Sequence, residues 1–273
     1  MEKLVVVRGG GDLATGTIYK LYKSGFKVLI LEIENPSAIR RNVAFCEAVY
    51  EGIMKVEDVI CYKAKDFNEA KMFLNEGKLT LLVDENGDCI EQLKPNVVID
   101  AIIAKKNLGF HKDMAPITIA LGPGFNAGSD CDVVIETKRG HHLGRIIDSG
   151  YAIKNTGIPG IIGGYGKERV IHSPAKGVLK NVKHITDIVK KGEVIAYIDD
   201  GSTQVPVYAS LDGLLRGLIR DGYYVSHGFK IADIDPRADE YNNCFTISDK
   251  ARCIAGGVLE AILYLSHKKG ISL

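Results

Sequence analysis

The chain has 273 residues, 46% of them hydrophobic and 25% charged, with 35 Lys and Arg against 34 Asp and Glu for a net charge of +1. These proportions suit a globular protein of one or two domains and exclude collagen, coiled coil and wholesale disorder. A balanced charge gives no general pull toward nucleic acid or an anionic membrane, so neither is expected as a partner and any basic chemistry is local.

Residues 1–8 form too short an apolar run for a signal peptide. The late apolar stretch 254–265 is interrupted by Gly256, Gly257 and Glu260 and falls short of the roughly 20 residues that span a bilayer. A cytoplasmic protein is the expectation. The six cysteines, Cys46, Cys61, Cys89, Cys131, Cys244 and Cys253, form no C-x-x-C pair. They are expected as reduced thiols, with no disulfide frame and no zinc site.

The N-terminal half alternates strand and helix patterns. A β-branched run at 4–7 precedes a helix at 13–23, then a strand at 28–33 and a helix at 37–50 capped by Ser37. Weaker units follow: a strand at 59–62, a helix at 67–74 and a strand at 79–84. Three apolar strands then come at 97–103, 117–121 and 133–135. Short, unalternating β-branched runs between helices predict a parallel sheet covered on both faces, a doubly wound, Rossmann-like α/β domain over 1–165.

From 166 to 238 the texture changes to short strands punctuated by Gly, Pro and Asp. A shift of 36 residues superposes Gly177 on Gly213, Leu179 on Leu215, Val189 on Val225 and Gly192 on Gly228. It also superposes Ile195, Ala196, Ile198 and Asp199 on Ile231, Ala232, Ile234 and Asp235, making eight identities over 27 positions without a gap. Two such half-units bury their faces only when clasped together. Ser173-Pro174-Ala175-Lys176-Gly177-Val178 and Val189-Lys190-Lys191-Gly192-Glu193-Val194-Ile195 resemble elements of the biotinyl/lipoyl barrel-sandwich fold, so an inserted β domain of that type is expected. The hairpin joining the halves, at 199–203, holds no lysine, and no covalent biotin or lipoate is expected. From 239 to 273 the chain closes as a helix, 249–265, with Ser248 or Asp249 as cap and an apolar stripe of Ile254, Val258, Ala261, Ile262 and Leu265. That stripe is expected to pack back on the first domain.

Five segments invite chemistry. Arg8-Gly9-Gly10-Gly11-Asp12-Leu13-Ala14 follows a strand and opens a helix, and Gly9, Gly11 and Ala14 fit G-x-G-x-x-A. Such a turn brings phosphate against backbone and helix-start amides. Arg8 adds charge or is a strand-end residue facing solvent. Glu32 and Glu34 stand where a ribose-binding acid is expected. The loop Gly122-Pro123-Gly124 follows the strand at 117–121 and can form an anion-binding nest, or a plain surface turn. Arg139, His141 and Arg145 cluster after the strand at 133–135, where arginine forks suit phosphate and a histidine can move protons. Asp100, inside an apolar strand, needs a partner or a ligand. Arg40 and Arg41, at the start of the helix after the ribose-side strand, can accept a further phosphate or form ordinary surface pairs. Cys46 and Cys131 lack an activating pattern and read as inert.

Arg8-Gly9-Gly10-Gly11-Asp12-Leu13-Ala14-Thr15-Gly16, Ala38-Ile39-Arg40-Arg41, Leu121-Gly122-Pro123-Gly124-Phe125 and Glu136-Thr137-Lys138-Arg139-Gly140-His141 together resemble the YqeB-type selenium-dependent molybdenum hydroxylase maturation proteins. Asp233-Ile234-Asp235-Pro236-Arg237, Asp249-Lys250-Ala251-Arg252 and Gly256-Gly257-Val258-Leu259-Glu260-Ala261 extend the resemblance nearly end to end. The first domain is similar to that of the XdhC-type molybdenum-cofactor sulfuration chaperones. The resemblance implies an accessory factor for a selenium-dependent molybdenum hydroxylase, partnered by that enzyme or its other maturation factors. The expected ligand is a nucleotide or the phosphate of the molybdenum cofactor. It would lie in the crevice of Gly9 to Ala14, Gly122, Gly124 and Arg139 to Arg145. The alternatives are an NAD(P)-dependent oxidoreductase with His141 as acid/base, and a non-catalytic scaffold or interaction module. The assembly state stays open, a homo-oligomer included.

Overall fold

The computed structural model describes residues 3–155, 157 and 160–273; Met1 and Glu2 of the opening segment lie outside them. The chain divides into two compact units, one of Met1–Pro36, Ala44–Thr156 and Ile247–Leu273, the other of Ser37–Val43 and Gly157–Thr246. The sequence placed the boundaries at 165/166 and 238/239. It did not separate 37–43 from the first unit.

The first unit is built in chain order from β1 (Leu4–Arg8), α1 (Asp12–Lys23), β2 (Lys27–Glu32), α2 (Ala48–Glu51), β3 (Ile53–Val56), β4 (Val59–Ala64), α3 (Phe67–Asn75), β5 (Leu79–Val83), α4 (Cys89–Leu93) and β6 (Val97–Asp100). It continues with β7 (Ile117–Leu121), β8 (Asn126–Ala127), β9 (Val133–Ile135), β10 (Ile146–Ile147), β11 (Gly150–Tyr151) and α5 (Asp249–Lys269). Nine strands form one sheet in the order β10-β9-β7-β6-β1-β2-β5-β4-β3, while β8 and β11 pair separately. The seven inner strands are parallel, and β3 and β10 join the edges antiparallel. The sheet is therefore mixed, a correction to the all-parallel expectation. β3 enters through a tight hairpin in which Glu57 takes φ +53°.

β1, β7 and β9 are fully buried, as apolar runs covered on both faces require. On one face α1 and α5 pack together. A Cβ on Gly16 would stand 2.8 Å from the Ala251 backbone, so this glycine sets how closely the helices approach. Ser248 caps α5 through Oγ, which accepts from Ala251 N–H at 3.2 Å. At its far end Lys269 Nζ reaches Asp132 Oδ2 at 2.6 Å.

The helix expected at 37–50 does not form. Two 3-10 turns, Arg41–Val43 and Phe45–Glu47, lead only into the short α2. Tertiary contacts outweigh local propensity here. Residues 37–43 belong to the other unit, where Arg40 Nη2 donates to the carbonyls of Asn243 (2.9 Å) and Thr246 (3.0 Å) and Arg41 Nε to that of Leu218 (2.8 Å). The strand expected to run to residue 103 stops at Asp100, and Ile103 takes φ +59°.

The second unit is two copies of one four-strand pattern. The first copy is β12 (Val170–His172), β13 (Gly177–Asn181), β14 (Ile188–Val189) and β15 (Val194–Asp199). The second is β16 (Gln204–Tyr208), β17 (Gly213–Leu218), β18 (Tyr224–Val225) and β19 (Lys230–Asp235). They assemble as two four-stranded sheets, β12-β19-β17-β14 and β16-β15-β13-β18, so each sheet takes two strands from each copy. The exchange is reciprocal: Gly177 pairs with Val225, and Gly213 with Val189. Leu179, Ile195 and Ile198 share one core with their counterparts Leu215, Ile231 and Ile234. A Cβ on Gly177 would meet the Asp199 carbonyl, and one on Gly213 the Asp235 carbonyl. The repeat read in the sequence thus corresponds to a physical need, the same close approach made twice.

Candidate functional site

The strands β1, β2, β6, β7 and β9 run in one direction, so the loops that follow them share one edge of the sheet. The chain leaves β1 for β2 on one side and later returns to β6 on the other, which makes the carboxyl end of β1 a switch point, where open α/β sheets bind ligands. α1 begins there. Its N-cap residue, Gly11, is extended and offers no side chain, and nothing lies within 4 Å of where its Cβ would be. Ala14 is buried in the first turns.

The other glycines on this edge make room for the protein itself. Gly9 (φ +93°) would put a Cβ 3.0 Å from Ile102 Cα, and Gly124 (φ +114°) one 2.6 Å from Lys106 N. The 101–107 loop therefore runs between the two glycine loops that the sequence assigned to a ligand. Gly10 faces Cys46 N and Gly122 faces Thr137 Oγ1, at 3.0 and 2.5 Å from the missing Cβ. The Gly10 carbonyl accepts from Cys46 N–H at 2.9 Å. Ile103 and Lys105 in the central loop take φ +59° and +63°. Left-handed backbone at a β-branched residue costs roughly 1–3 kcal/mol and gathers at functional edges.

Glu32 closes on the loop's own amides. It accepts from Gly10 N–H at 2.8 Å and Ile33 N–H at 2.9 Å, and burial holds its carboxyl above the usual range. Arg8 is buried rather than solvent-facing. Its guanidinium reaches Asp100 at 3.4 Å and the Leu108 carbonyl at 3.1 Å. Burial pushes the Asp100 carboxyl up to about 6, against the opposing pull of Arg8. Arg40 lies in the second unit, where its Nη2 donates to two carbonyls.

Arg139 is already answered: it forks onto Asp249 at 2.7 and 3.2 Å, and that hydrogen bond raises its pKa. His141 is exposed and lies edge-on to His142 at 5.6 Å, while Arg145 reaches His142 Nδ1 at 3.1 Å.

The side chain that the sequence reading missed is Lys250, in the first turn of α5. It is half-buried, and its charge is felt by Arg139, Asp12, Glu136 and Asp249. Desolvation, then repulsion from Arg139, lowers its pKa. Among the described residues no carboxylate stands within ion-pair distance of it. Glu136, nearby and 2% exposed, accepts from Lys138 N–H at 2.7 Å through one oxygen and Ile153 N–H at 2.9 Å through the other. A signal for Lys250 was present: at i, i+4, i+8 and i+11 it extends the buried line of Ile254, Val258 and Ala261 by one turn. A lysine there is inside the packing, not on a solvated face.

This edge offers an anion backbone amides at the start of α1 and a half-buried ammonium outside any ion pair. Among the described residues no group of three or more His, Cys, Asp and Glu is placed to hold a metal ion, and no helix is long and apolar enough to cross a membrane.

The chain is 50% identical over 267 residues to the Escherichia coli (strain K12) protein described as "Uncharacterized protein YqeB", a match that covers 98% of this chain and 48% of the relative. It thus spans about half the length of the curated relative it matches. No family model matches. Among solved structures, an aspartoacylase family protein from Mesorhizobium loti MAFF303099 aligns at TM-score 0.29 and 12% identity, covering 85% of this chain and 84% of that one. The product-bound ectoine utilization protein EutE (DoeB) from Ruegeria pomeroyi aligns at TM-score 0.27 and 11% identity, covering 85% of each chain. These TM-scores are too low to indicate a shared fold.

Proposed function

We propose that the chain is an accessory factor in the maturation of selenium-dependent molybdenum hydroxylases. Its α/β unit would hold a phosphate-bearing ligand, a nucleotide or the molybdenum cofactor's phosphate, where α1 begins. The reading takes the α/β unit as Rossmann-like and the repeat unit as a barrel-sandwich of the biotinyl/lipoyl type. It places the protein in the cytoplasm, with the client hydroxylase or another of its maturation factors as partner. Half identity to YqeB over nearly the whole chain supports the family part.

The observation that carries the ligand part is Lys250. A half-buried ammonium without an ion-pair partner, beside an uncapped helix start at a switch point, suits a bound anion. The amides around Gly11 and the Lys250 amine would hold the phosphate. When bound there, the molybdenum cofactor would supply the metal–dithiolene centre that is to be modified or delivered. Arg8, Gly9, Gly10, Gly122 and Gly124 act at one remove, by fixing the 101–107 loop and the turn into α1.

Isothermal titration of the full chain against NAD, NADP, ATP, CTP and isolated molybdenum cofactor tests this. Micromolar binding of the molybdenum cofactor or of a non-nicotinamide nucleotide is expected. A folded protein that binds none of the five overturns the ligand reading. Binding confined to NAD or NADP replaces it with the oxidoreductase.

A further inference from the structure

We infer that the first copy of the repeat carries a nucleotide site in a cavity that the second copy fills with protein. The ligand is a nucleoside monophosphate. Its ring lies on Tyr224, its ribose hydroxyls meet Asp199, and its phosphate takes the heads of Lys176 and Lys180. The inference is independent of the ligand reading of the α/β unit, and either can fail alone.

Leu179 points into the core, so its neighbour Val178 lies on the outer face of the sheet β16-β15-β13-β18. Val178 pairs with Tyr224 on one side and Asp199 on the other. Neighbouring strands lie about 4.8 Å apart, so Tyr224 and Asp199 face each other across about 10 Å. Lys176 and Lys180 share the Val178 face at a period of two, about 13 Å apart along the strand. These side chains frame a cavity of about 370 Å³ over Val178. That volume suits a small molecule.

The second copy shows what closes such a frame. Leu214 pairs with Ile188 and Asp235, the same row under the 36-residue shift. There Leu214 and Asp235 are fully buried. Arg237, two residues past Asp235, folds back onto its carboxylate at 2.8 Å, and the 3-10 turn Tyr241–Cys244 packs on β17. In the first copy the residue two past Asp199 is Gly201, and the chain turns at once into β16. Nothing lies within 4 Å of where a Gly201 Cβ would be. The row is repeated and its cover is not, so Val178 is half-buried and Tyr224 is 65% exposed.

The residues that differ between the rows select the ligand. Where the second row has Ile188, the first has Tyr224, a ring on which a base can stack. Where the second has Asp212 and Arg216, the first has Lys176 and Lys180. Among the described residues neither lysine has a carboxylate in ion-pair reach. Asp199 keeps acceptor capacity: Oδ1 takes the Gly201 N–H at 2.9 Å and Oδ2 only the Gln204 amide at 3.5 Å. Asp200 is spent on its own turn, accepting the N–H and hydroxyl of both Ser202 and Thr203 between 2.7 and 3.1 Å. A bare anion is repelled by Asp199, whereas ribose hydroxyls turn that carboxylate into a hydrogen-bond partner. Ring, hydroxyls and anion are the three parts of a nucleotide.

Amide chemical-shift mapping on the full chain tests this, with AMP, GMP, CMP and UMP as probes. At least one is expected to shift the amides of 176–180, 199–203 and 224, saturating below about 1 mM. Three analogues of that probe each lack one part: the nucleoside, ribose 5-phosphate and the 2′,3′-dideoxy nucleotide. Each is expected to bind at least about fivefold more weakly. Tyr224→Ala, at an exposed ring, is expected to weaken the nucleotide about fivefold or more. Lys176→Gln combined with Lys180→Gln is expected to weaken it about tenfold.

If all four nucleotides leave these amides unmoved at about 10 mM in the folded protein, the inference falls. It falls too if the nucleoside or ribose 5-phosphate binds as tightly as the nucleotide, or if both variants bind undiminished. Shifts confined to the amides of 9–14 support the ligand reading of the α/β unit and overturn this one.

Discussion

The end of β19 and the start of α5 treat buried charge in opposite ways. At β19 the fully buried Asp235 holds Arg216 Nη1 at 3.3 Å, Arg237 Nε at 3.0 Å and Arg237 Nη2 at 2.8 Å. Burial pushes its carboxyl up, but the Arg237 hydrogen bonds and charge bring it below the usual range. At α5 the Lys250 ammonium is half-buried with no carboxylate in ion-pair reach, and its environment disfavours the charged form. Scaffolding charges carry their counter-charge within the fold; a binding charge is left to be answered from outside. The repeat adds a control. Asp199, the counterpart of Asp235, stands in a copy with Lys180 at the Arg216 position and is only half-buried, in an Asx turn onto Gly201 N–H at 2.9 Å. It lines a surface pocket with Lys176, Lys180, Asp200 and Tyr224.

The largest expected effect breaks the answered side. Asp235→Ala removes the fully buried carboxylate that Arg216 and Arg237 share, Arg237 keeping Glu240 at 3.0 Å, and is expected to cost about 3–5 kcal/mol by urea unfolding of the full chain. Asp199→Ala, at the same place in the other copy, is expected to cost under about 1 kcal/mol. Equal losses would erase the distinction between the copies.

Asp100, beside Arg8, is a partial case. Its folded pKa of about 6 stands above the ordinary 3.8, so the native state binds the extra proton. The stability this contributes is full below about pH 4 and is lost as pH rises through about 6, roughly 3 kcal/mol in all. Asp100→Asn is expected to remove that decline, and denaturation midpoints of both proteins across this range measure it.

Glycines give the next step down. Gly16→Ala drives a methyl into the Ala251 backbone and is expected to cost about 1–3 kcal/mol. Gly11→Ala, with open space and φ −68°, is expected to cost about 0.5 kcal/mol. Thermal unfolding of both variants resolves the difference.

The smallest effect sharpens the other side. Lys250→Met is expected to leave stability unchanged or raise it by up to about 1 kcal/mol, because a group kept for binding is not kept for folding. A loss of several kcal/mol would make Lys250 part of the scaffold.

Much of the fold was legible because its signals are local. The apolar runs at 4–7, 117–121 and 133–135 are β1, β7 and β9, and the Ser248 cap and stripe are α5, which continues to Lys269. The 36-residue repeat was legible because Gly177 and Gly213 answer the same steric demand. The segment 37–50 misled because Arg40 and Arg41 are drawn to carbonyls some 200 residues away. Of the site, the edge of the sheet was legible and the ligand-facing atoms were not. Gly9 and Gly124 reported a close backbone approach, which sequence cannot distinguish from an approach by phosphate. Lys250 went unseen because its isolation from carboxylates is a three-dimensional fact.

The reciprocal exchange of β14 and β18 has a consequence for how the chain is made. Gly177 finds its edge partner at Val225 and Val189 at Gly213, so neither sheet is complete until both copies have left the ribosome. β13 can pair with β15 within the first copy, but β12 and β14 must wait unpaired while the second copy is translated, a window in which such segments are exposed to aggregation. The α/β unit waits longer still, because α5, which covers the face beside α1, follows the second unit along the chain. The two units are therefore expected to mature late and close together in time, not one after the other along the message.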